Sequence, residues 1–161
     1  MPSDLLTRPL RLDLGSGYFP AFGFTSVDNH QNADHRVDIL AAAFTDVAEV
    51  RMSHVLEHVP WRETVPLLQR IRGWMNDGGR ITVEVPDMAR IMAEWQTNPD
   101  WIRYVYGSQE NDGEYHRTGF TRVSLLHVMS RAGWLDVAVR EFRSEFRTRP
   151  GMPCLEAKAT A

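Results

Sequence analysis

Five side chains have the types needed to move a proton: His54, Glu57 and His58 in "SHVLEH", and Glu114 and His116 in "EYHRTGF". Imidazole gains and loses a proton near neutral pH, so histidine suits the role of base toward an oxygen or nitrogen acceptor. His54 follows an apolar run and is expected at the end of a strand, either lining a ligand or taking a proton. Glu57 and His58 stand just before the main helix, where capping or a buried hydrogen bond is the better reading. His30, His35 and His127 read as ordinary surface or helix residues. His54 and His58 are four apart, but the glutamate adjoins the second histidine rather than the first. The HExxH zinc pattern is therefore not met, and no metal is expected.

A second set of residues has the types needed to hold a ligand. In "RLDLGSGYFPAFGFTSVDNH", Asp13 and Gly15-Ser16-Gly17 lie at and after an apolar run. Glycine lets main-chain N–H groups approach a ligand closely. Asp28 ends the next run, where a carboxylate can accept hydrogen bonds from two ribose hydroxyls. Asp38 is expected to end a third short run, in reach of an adenine amino group, and Ser53-His54 ends a fourth. Each piece alone is weak, because most such glycine pairs are plain turns and most strand-end aspartates are caps. Four successive strand ends with small or polar ligand-type residues are what one bound nucleoside needs.

The elements that must position these residues follow from pattern. Residues 9–14, "GFTSVD", "HRVDIL" and "AEVRMSHVL" read as strands. "PWRETVPLLQRIRGWMNDGG" is the clearest helix, with Val65, Leu68, Ile71, Arg72 and Met75 on or beside one face and Leu67 and Trp74 widening the stripe; residues 76–79 are expected to close it, and Pro66 to delay or kink it. "RITVEVPD" is a strand, "DMARIMAEWQ" a helix with an aspartate cap, and "TRVSLLHVMSRAGW" a helix capped by Thr121. "LDVAVREFR" and "PCLEAKAT" read as a closing antiparallel pair. Residues 98–118 mix aromatics with Gly, Asn and Asp and are expected to form a lid-like loop. The fold class is α/β: a Rossmann-like, open, mostly parallel sheet with an antiparallel edge strand. Such sheets bind at the carboxyl ends of their strands.

The 161 residues suit a single domain spanning 1–161. The net charge of −3 disfavours a nucleic-acid partner bound through phosphates. Arg140, Arg143, Arg147 and Arg149 cluster late, but Glu141 and Glu145 interleave them, as on a solvated strand face. Cys154 is the only cysteine, which fits a reducing compartment; no apolar run is long enough to span a membrane and no signal layout is seen, so cytoplasm is expected.

At "LDLGSG", "VD" at 27–28, "VDIL" at 37–40, "SHVLEHV" at 53–59, "LLQRIRGWMNDGGRITVEVPD" at 67–87 and "YGSQENDGEYHRTGF" at 106–120, the chain resembles class I S-adenosylmethionine (SAM)-dependent methyltransferases, within a compact type 11-like subgroup. The resemblance covers about residues 10–140. It implies that Asp13, Gly15, Ser16 and Gly17 surround the methionine end of SAM. Asp28, with Asn29 beside it, would hold the ribose, and Asp38 and Ile39 would meet the adenine. Ser53 and His54 would lie beneath the sulfonium, and His116 and His54 become the candidate catalytic residues.

The chain also departs from that pattern. Phe19 and Pro20 stand where a third glycine is common, and the helix after the glycine turn is missing. Nine residues, 15–23, must make the return. Extended, they reach about 30 Å, enough for a bare loop to come back along a five-residue strand of roughly 17 Å. A dinucleotide needs that helix for its pyrophosphate, whereas SAM has no phosphate, so its loss favours SAM over NAD. The Asn/Asp-Pro-Pro-aromatic motif of nucleic-acid amino-methylating relatives is absent after the fourth strand. The expected acceptor is therefore a small molecule or glycan-like group, faced by Trp95, Trp101, Tyr104, Tyr106 and Tyr115 or by none of these if they pack as a satellite core. A SAM-binding module without catalysis is the alternative, and a homodimer is one way to cover the shortened site.

Overall fold

The computed structural model of the chain describes residues 9–145 and 150–161. Seven strands form one sheet: β1 (Leu10–Leu14), β2 (Thr25–Asp28), β3 (His35–Arg36), β4 (Val47–Ser53), β5 (Met75–Pro86), β6 (Leu135–Arg143) and β7 (Pro153–Thr160). Their order is β3-β2-β1-β4-β5-β7-β6. The first five run parallel, and β7 runs antiparallel to both neighbours. This is the Rossmann-like sheet the sequence led us to expect, with its antiparallel strand one place in from the edge. Among the described residues four helices accompany it: α1 (Trp61–Trp74), α2 (Met88–Ala93), α3 (Trp101–Tyr106) and α4 (Arg122–Arg131).

Strand residues alternate between two faces. Leu12 and Leu14 of β1, Val50 and Met52 of β4, Ile81 and Val83 of β5, and Leu155 and Ala157 of β7 join the main core with Leu67, Leu68 and Ile71 of α1 and Leu125 and Met129 of α4. The indole N–H of Trp134 donates to the Leu68 carbonyl at 3.2 Å, tying the turn after α4 to α1.

The other face is charged. Arg11 pairs with Glu49 at 2.7 Å, Arg51 with Asp13 at 3.2 Å and Glu84 at 3.3 Å, and Arg140 with Glu156 at 2.6 Å. A parallel sheet covered on both faces reads as continuous apolar runs. "LRLDL", "VAEVRMS" and "RITVEVP" instead alternate apolar with polar. Among the described residues, no helix stands in the β1–β2, β2–β3 or β3–β4 connections. Helices reach the charged face only at its carboxyl end, where Ile91 of α2 and Tyr104 of α3 pack with Met152 and Cys154 in a second small cluster.

Several expectations are corrected. Pro66 neither delays nor breaks α1, which starts at Trp61 after Pro60. Residues 76–79 do not close α1. Met75 already pairs with Val47, and the next pair is Glu49 with Arg80, so the stretch between is a bulge inside β5. Residues 98–118, expected as a lid-like loop, contain α3 and a 3-10 turn, Asp112–Glu114. Strand β3 ends at Arg36, so Asp38 lies beyond it in a turn. The Asp87 and Thr121 caps form as expected: Asp87 accepts from the N–H groups of Ala89 and Arg90, and Thr121 and Ser124 cap each other. Arg147 and Arg149 of the late basic cluster lie outside the described residues.

Candidate functional site

The turn after β1 is built by two glycines. Gly15 has φ +65°, and a Cβ on it would lie 2.5 Å from a Val55 methyl, so backbone conformation and space both demand glycine. Its N–H donates to the Val27 carbonyl at 2.8 Å, tying the turn to β2. Gly17 has φ +56° with open space on its side-chain side.

Asp28 closes this turn from the end of β2. One carboxylate oxygen accepts from the N–H of Gly17 at 2.9 Å and the other from the N–H of His30 at 2.8 Å. Both oxygens are therefore oriented by the main chain. Asn29 is exposed and offers its carbonyl to Arg36 at 3.2 Å. The Ser16 hydroxyl oxygen is buried and has no hydrogen-bond partner among the described residues. A buried hydroxyl left so is costly, and a polar group of a ligand would remove that cost.

Asp13 lies beneath the loop that returns from the glycine turn. It is 1% exposed, and its carboxylate takes the N–H of Ala21 at 2.8 Å and the Arg51 guanidinium at 3.2 Å. It shapes the returning loop from below. Asp38 is exposed and caps its own turn, accepting from the N–H of Leu40 at 2.8 Å. Ile39 is half-buried against the main core.

The end of β4 carries a second assembly. The Ser53 hydroxyl donates to Glu84 at 2.5 Å. His54 sits at φ +56°, a conformation uncommon for a side-chain-bearing residue, and its N–H is held by the Glu84 carbonyl at 2.9 Å. Its ring Nδ1 meets a Glu57 carboxylate oxygen at 3.2 Å, and Nε2 lies 3.9 Å from the Cys154 sulfur.

Glu57 is the hub. It lies in a 3-10 turn, Leu56–His58, and is 1% exposed. Burial pushes its carboxyl upward, but the His54 hydrogen bond and the fields of His54, His58 and His116 outweigh this and hold it below the ordinary glutamate range. The other oxygen, Oε2, has no hydrogen-bond partner among the described residues.

The 115–118 segment is stapled to this turn. The N–H groups of Arg117 and Thr118 donate to the Glu57 carbonyl at 2.7 and 3.0 Å, and the Thr118 hydroxyl donates to the Val59 carbonyl at 2.7 Å. The His58 and His116 rings meet edge to face with centroids 4.8 Å apart. The structure thus brings His54 and His116, far apart along the chain, around one carboxylate. It does not bring Glu114 there, whose carboxylate accepts from Ser108 at 3.1 Å. Tyr104 is buried in the second cluster with Trp101 packed on it, while Trp95, Tyr106 and Tyr115 stay largely exposed.

Arg51 and Glu84 were missed by reading the sequence for ligand-type residues. Their signal is the polar alternation in "VRMS" and "VEVP", which sets them on the same face as Asp13 and Ser53.

No family model matches the chain and no curated protein matches it in sequence, so the type 11-like subgroup gains no support from either. Solved structures do match. A SAM-dependent methyltransferase from Archaeoglobus fulgidus aligns over 94% of this chain and 86% of its own, with 14% identity and a TM-score of 0.64. A Methanosarcina mazei SAM-dependent methyltransferase aligns over 92% and 90%, with 14% identity and a TM-score of 0.65. The 1,6-didemethyltoxoflavin-N1-methyltransferase of Burkholderia thailandensis, solved with 1,6-didemethyltoxoflavin and S-adenosylhomocysteine, aligns over 94% and 70%, with 16% identity and a TM-score of 0.64. The chain has the fold of the SAM-dependent methyltransferases.

Proposed function

We propose that the chain is a SAM-dependent methyltransferase acting on a small-molecule or glycan-like acceptor. The observation that carries this reading is the pre-oriented Asp28 carboxylate beside the open Gly17 turn and the unpartnered Ser16 hydroxyl. Those groups suit a ligand with a diol and a polar tail. Several neighbours in fold are SAM-dependent methyltransferases, and the Burkholderia enzyme was solved with a small-molecule acceptor. The net charge of −3 and "SHVLEH" after β4 speak against a nucleic-acid acceptor.

When bound, SAM supplies a methyl group already activated on a positively charged sulfur. The chain's part is to hold and orient. Gly15, Ser16 and Gly17 would hold the methionine end, with Asp13 and Arg51 keeping the returning loop in place. Asp28 and Asn29 would hold the ribose, and Asp38 and Ile39 the adenine. Ser53 and His54 would line the methyl side, and His54 or His116 would take the acceptor's proton, both being held by main-chain and Glu57 contacts.

The loop after the glycine turn exposes Tyr18 at 75%, Phe19 at 86% and Phe22 at 103%. A second copy of the chain covering these rings would complete the site, which favours a homodimer. No helix among the described residues is long and apolar enough to cross a membrane. The cytoplasmic assignment rests on the cysteine usage given above.

Calorimetric titration with S-adenosylhomocysteine tests the site. Asp28→Ala is expected to weaken binding at least tenfold, and unchanged affinity would reject it. The missing helix between β1 and β2 favours a second reading, a SAM-binding module without transfer. Labelled methyl transfer to a panel of small molecules and glycans separates the two. Transfer lost in His54→Ala or His116→Ala supports the enzyme; binding with no transfer to any acceptor supports the module.

A further inference from the structure

We propose that Glu57, His58 and His116 form a three-ligand site for a divalent first-row metal ion, with zinc the best match. One ligand atom from each of these residues lies within 4.8 Å of the other two. The donor set, two imidazole nitrogens and one carboxylate oxygen, is one that zinc accepts in open three-ligand sites.

The second shell is what makes this more than a cluster. His58 Nδ1 lies 3.1 Å from the Tyr115 carbonyl, and His116 Nδ1 lies 3.0 Å from the Tyr104 carbonyl. A carbonyl only accepts, so each Nδ1 carries the proton and donates it. Each Nε2 is then the nitrogen with the lone pair. Metal-ligating histidines are held in this way, with the far ring nitrogen donating to a carbonyl or carboxylate. The carboxylate follows the same logic. Glu57 Oε1 is engaged by His54 at 3.2 Å, while Oε2 is buried and has no hydrogen-bond partner among the described residues. A buried carboxylate oxygen without a donor is costly, and a cation removes that cost.

The ligands are also framed rigidly. Two come from the Leu56–His58 turn and the third from a segment stapled to the Glu57 carbonyl by Arg117 and Thr118. Metal bonds of about 2.1 Å hold tetrahedral ligand atoms about 3.4 Å apart, so the side chains must draw in by roughly an ångström, which small side-chain rotations supply. An open cleft lined by Asp112, Tyr115, His116 and Arg117 reaches His116 from the surface. The sequence expectation of no metal weighed His54 with His58. The structure substitutes His116, which is far away along the chain. With metal bound, the His116 lone pair is taken, leaving His54 as the base in the methyl-transfer reading; the metal site itself does not depend on that reading.

The test uses the full chain stripped of metal with a chelator, without SAM or acceptor. Zinc is titrated calorimetrically, and cobalt(II) is added as a visible-absorption probe. One equivalent is expected to bind, with cobalt giving intense bands of low coordination number. His116→Ala and His58→Ala are each expected to weaken zinc binding at least a hundredfold. Glu57→Gln keeps the main-chain staples and the side-chain shape, so it decides the matter if a histidine variant fails to fold, with at least a tenfold loss expected. Binding well below one equivalent, or affinity unchanged in Glu57→Gln and in the folded histidine variants, overturns the proposal.

Discussion

The two faces of the sheet are built by different physics. On one, Leu12, Val50, Ile81 and Leu155 meet Leu68 and Ile71 of α1 and Leu125 of α4, all at 1% exposure or less. On the other, charged side chains reach across β1, β4 and β5, through Arg51 to Asp13 and Glu84, and on β7 to Glu156. The apolar face is held by burial, at about 25 cal/mol per Å² removed from water, and must be roofed by helices. The charged face needs no helix there, because its groups satisfy one another and the returning loop covers Asp13 through the Ala21 N–H. The helices absent from the first three connections are therefore not a defect in cover. The strands were already written for a sheet with one wet side. Helices shield that side at its carboxyl end, where α2 and α3 pack and where α3 and the stapled 115–118 segment set His116 beside Glu57.

Substitutions can sharpen this contrast. The largest effect is expected on the apolar face: Leu68→Ala should cost about 3 kcal/mol, because Leu68 is fully buried between helix and sheet. Urea denaturation measures it, and a loss under 1 kcal/mol would mean the roofed face is not the main source of stability. On the charged face, Arg51→Ala should cost about 2 kcal/mol, since it leaves Asp13, 1% exposed, without its cation. The full cost of a broken buried pair is not expected, because Arg51 itself is 25% exposed. A loss as large as that of Leu68→Ala would break the distinction between the faces.

The smallest effect is expected at Glu156 and appears as a pH dependence. The Arg140 hydrogen bond, helped by Lys158 and opposed by burial, holds this carboxyl below the ordinary glutamate range. A carboxyl depressed in the folded state adds stability above its unfolded pKa and loses it as pH falls through the folded value. The stability difference between the parent chain and Glu156→Gln should therefore be flat above about pH 6 and shrink below about pH 5. A difference that grows on acidification would show that Glu156 is not ionised by its partners.

Much of the fold was legible because it is local. Alternating strands and the Asp87 and Thr121 caps are short-range patterns and appear where the pattern put them, whereas the expected stripe of α1 holds at Leu68 and Ile71 but loses Met75 to β5. Pro66 misled because an exposed proline in the second turn removes one main-chain hydrogen bond, while Thr64, Leu67, Leu68, Ile71 and Trp74 still bury the helix's apolar face. Residues 76–79 misled because turn chemistry marks a bulge inside a strand as readily as a helix end. At the candidate site, Gly15, Gly17 and Asp28 were legible from order along the chain. The cation that pairs with Asp13 was not legible, because Arg51 comes from β4.

"LDLGSG" and the later "VD" by themselves determined that a glycine turn and an aspartate would end adjacent strands. Alternation within β1, β4 and β5 determined that one sheet face would be polar. Only the tertiary structure decided that Asp28 binds the Gly17 N–H and that His54 and His116 converge on Glu57. The physical reason is range. Backbone conformation and side-chain periodicity are set by neighbours along the chain, whereas ion pairs and shared carboxylates are set by segments that meet only when loop 115–118 docks on the turn after β4.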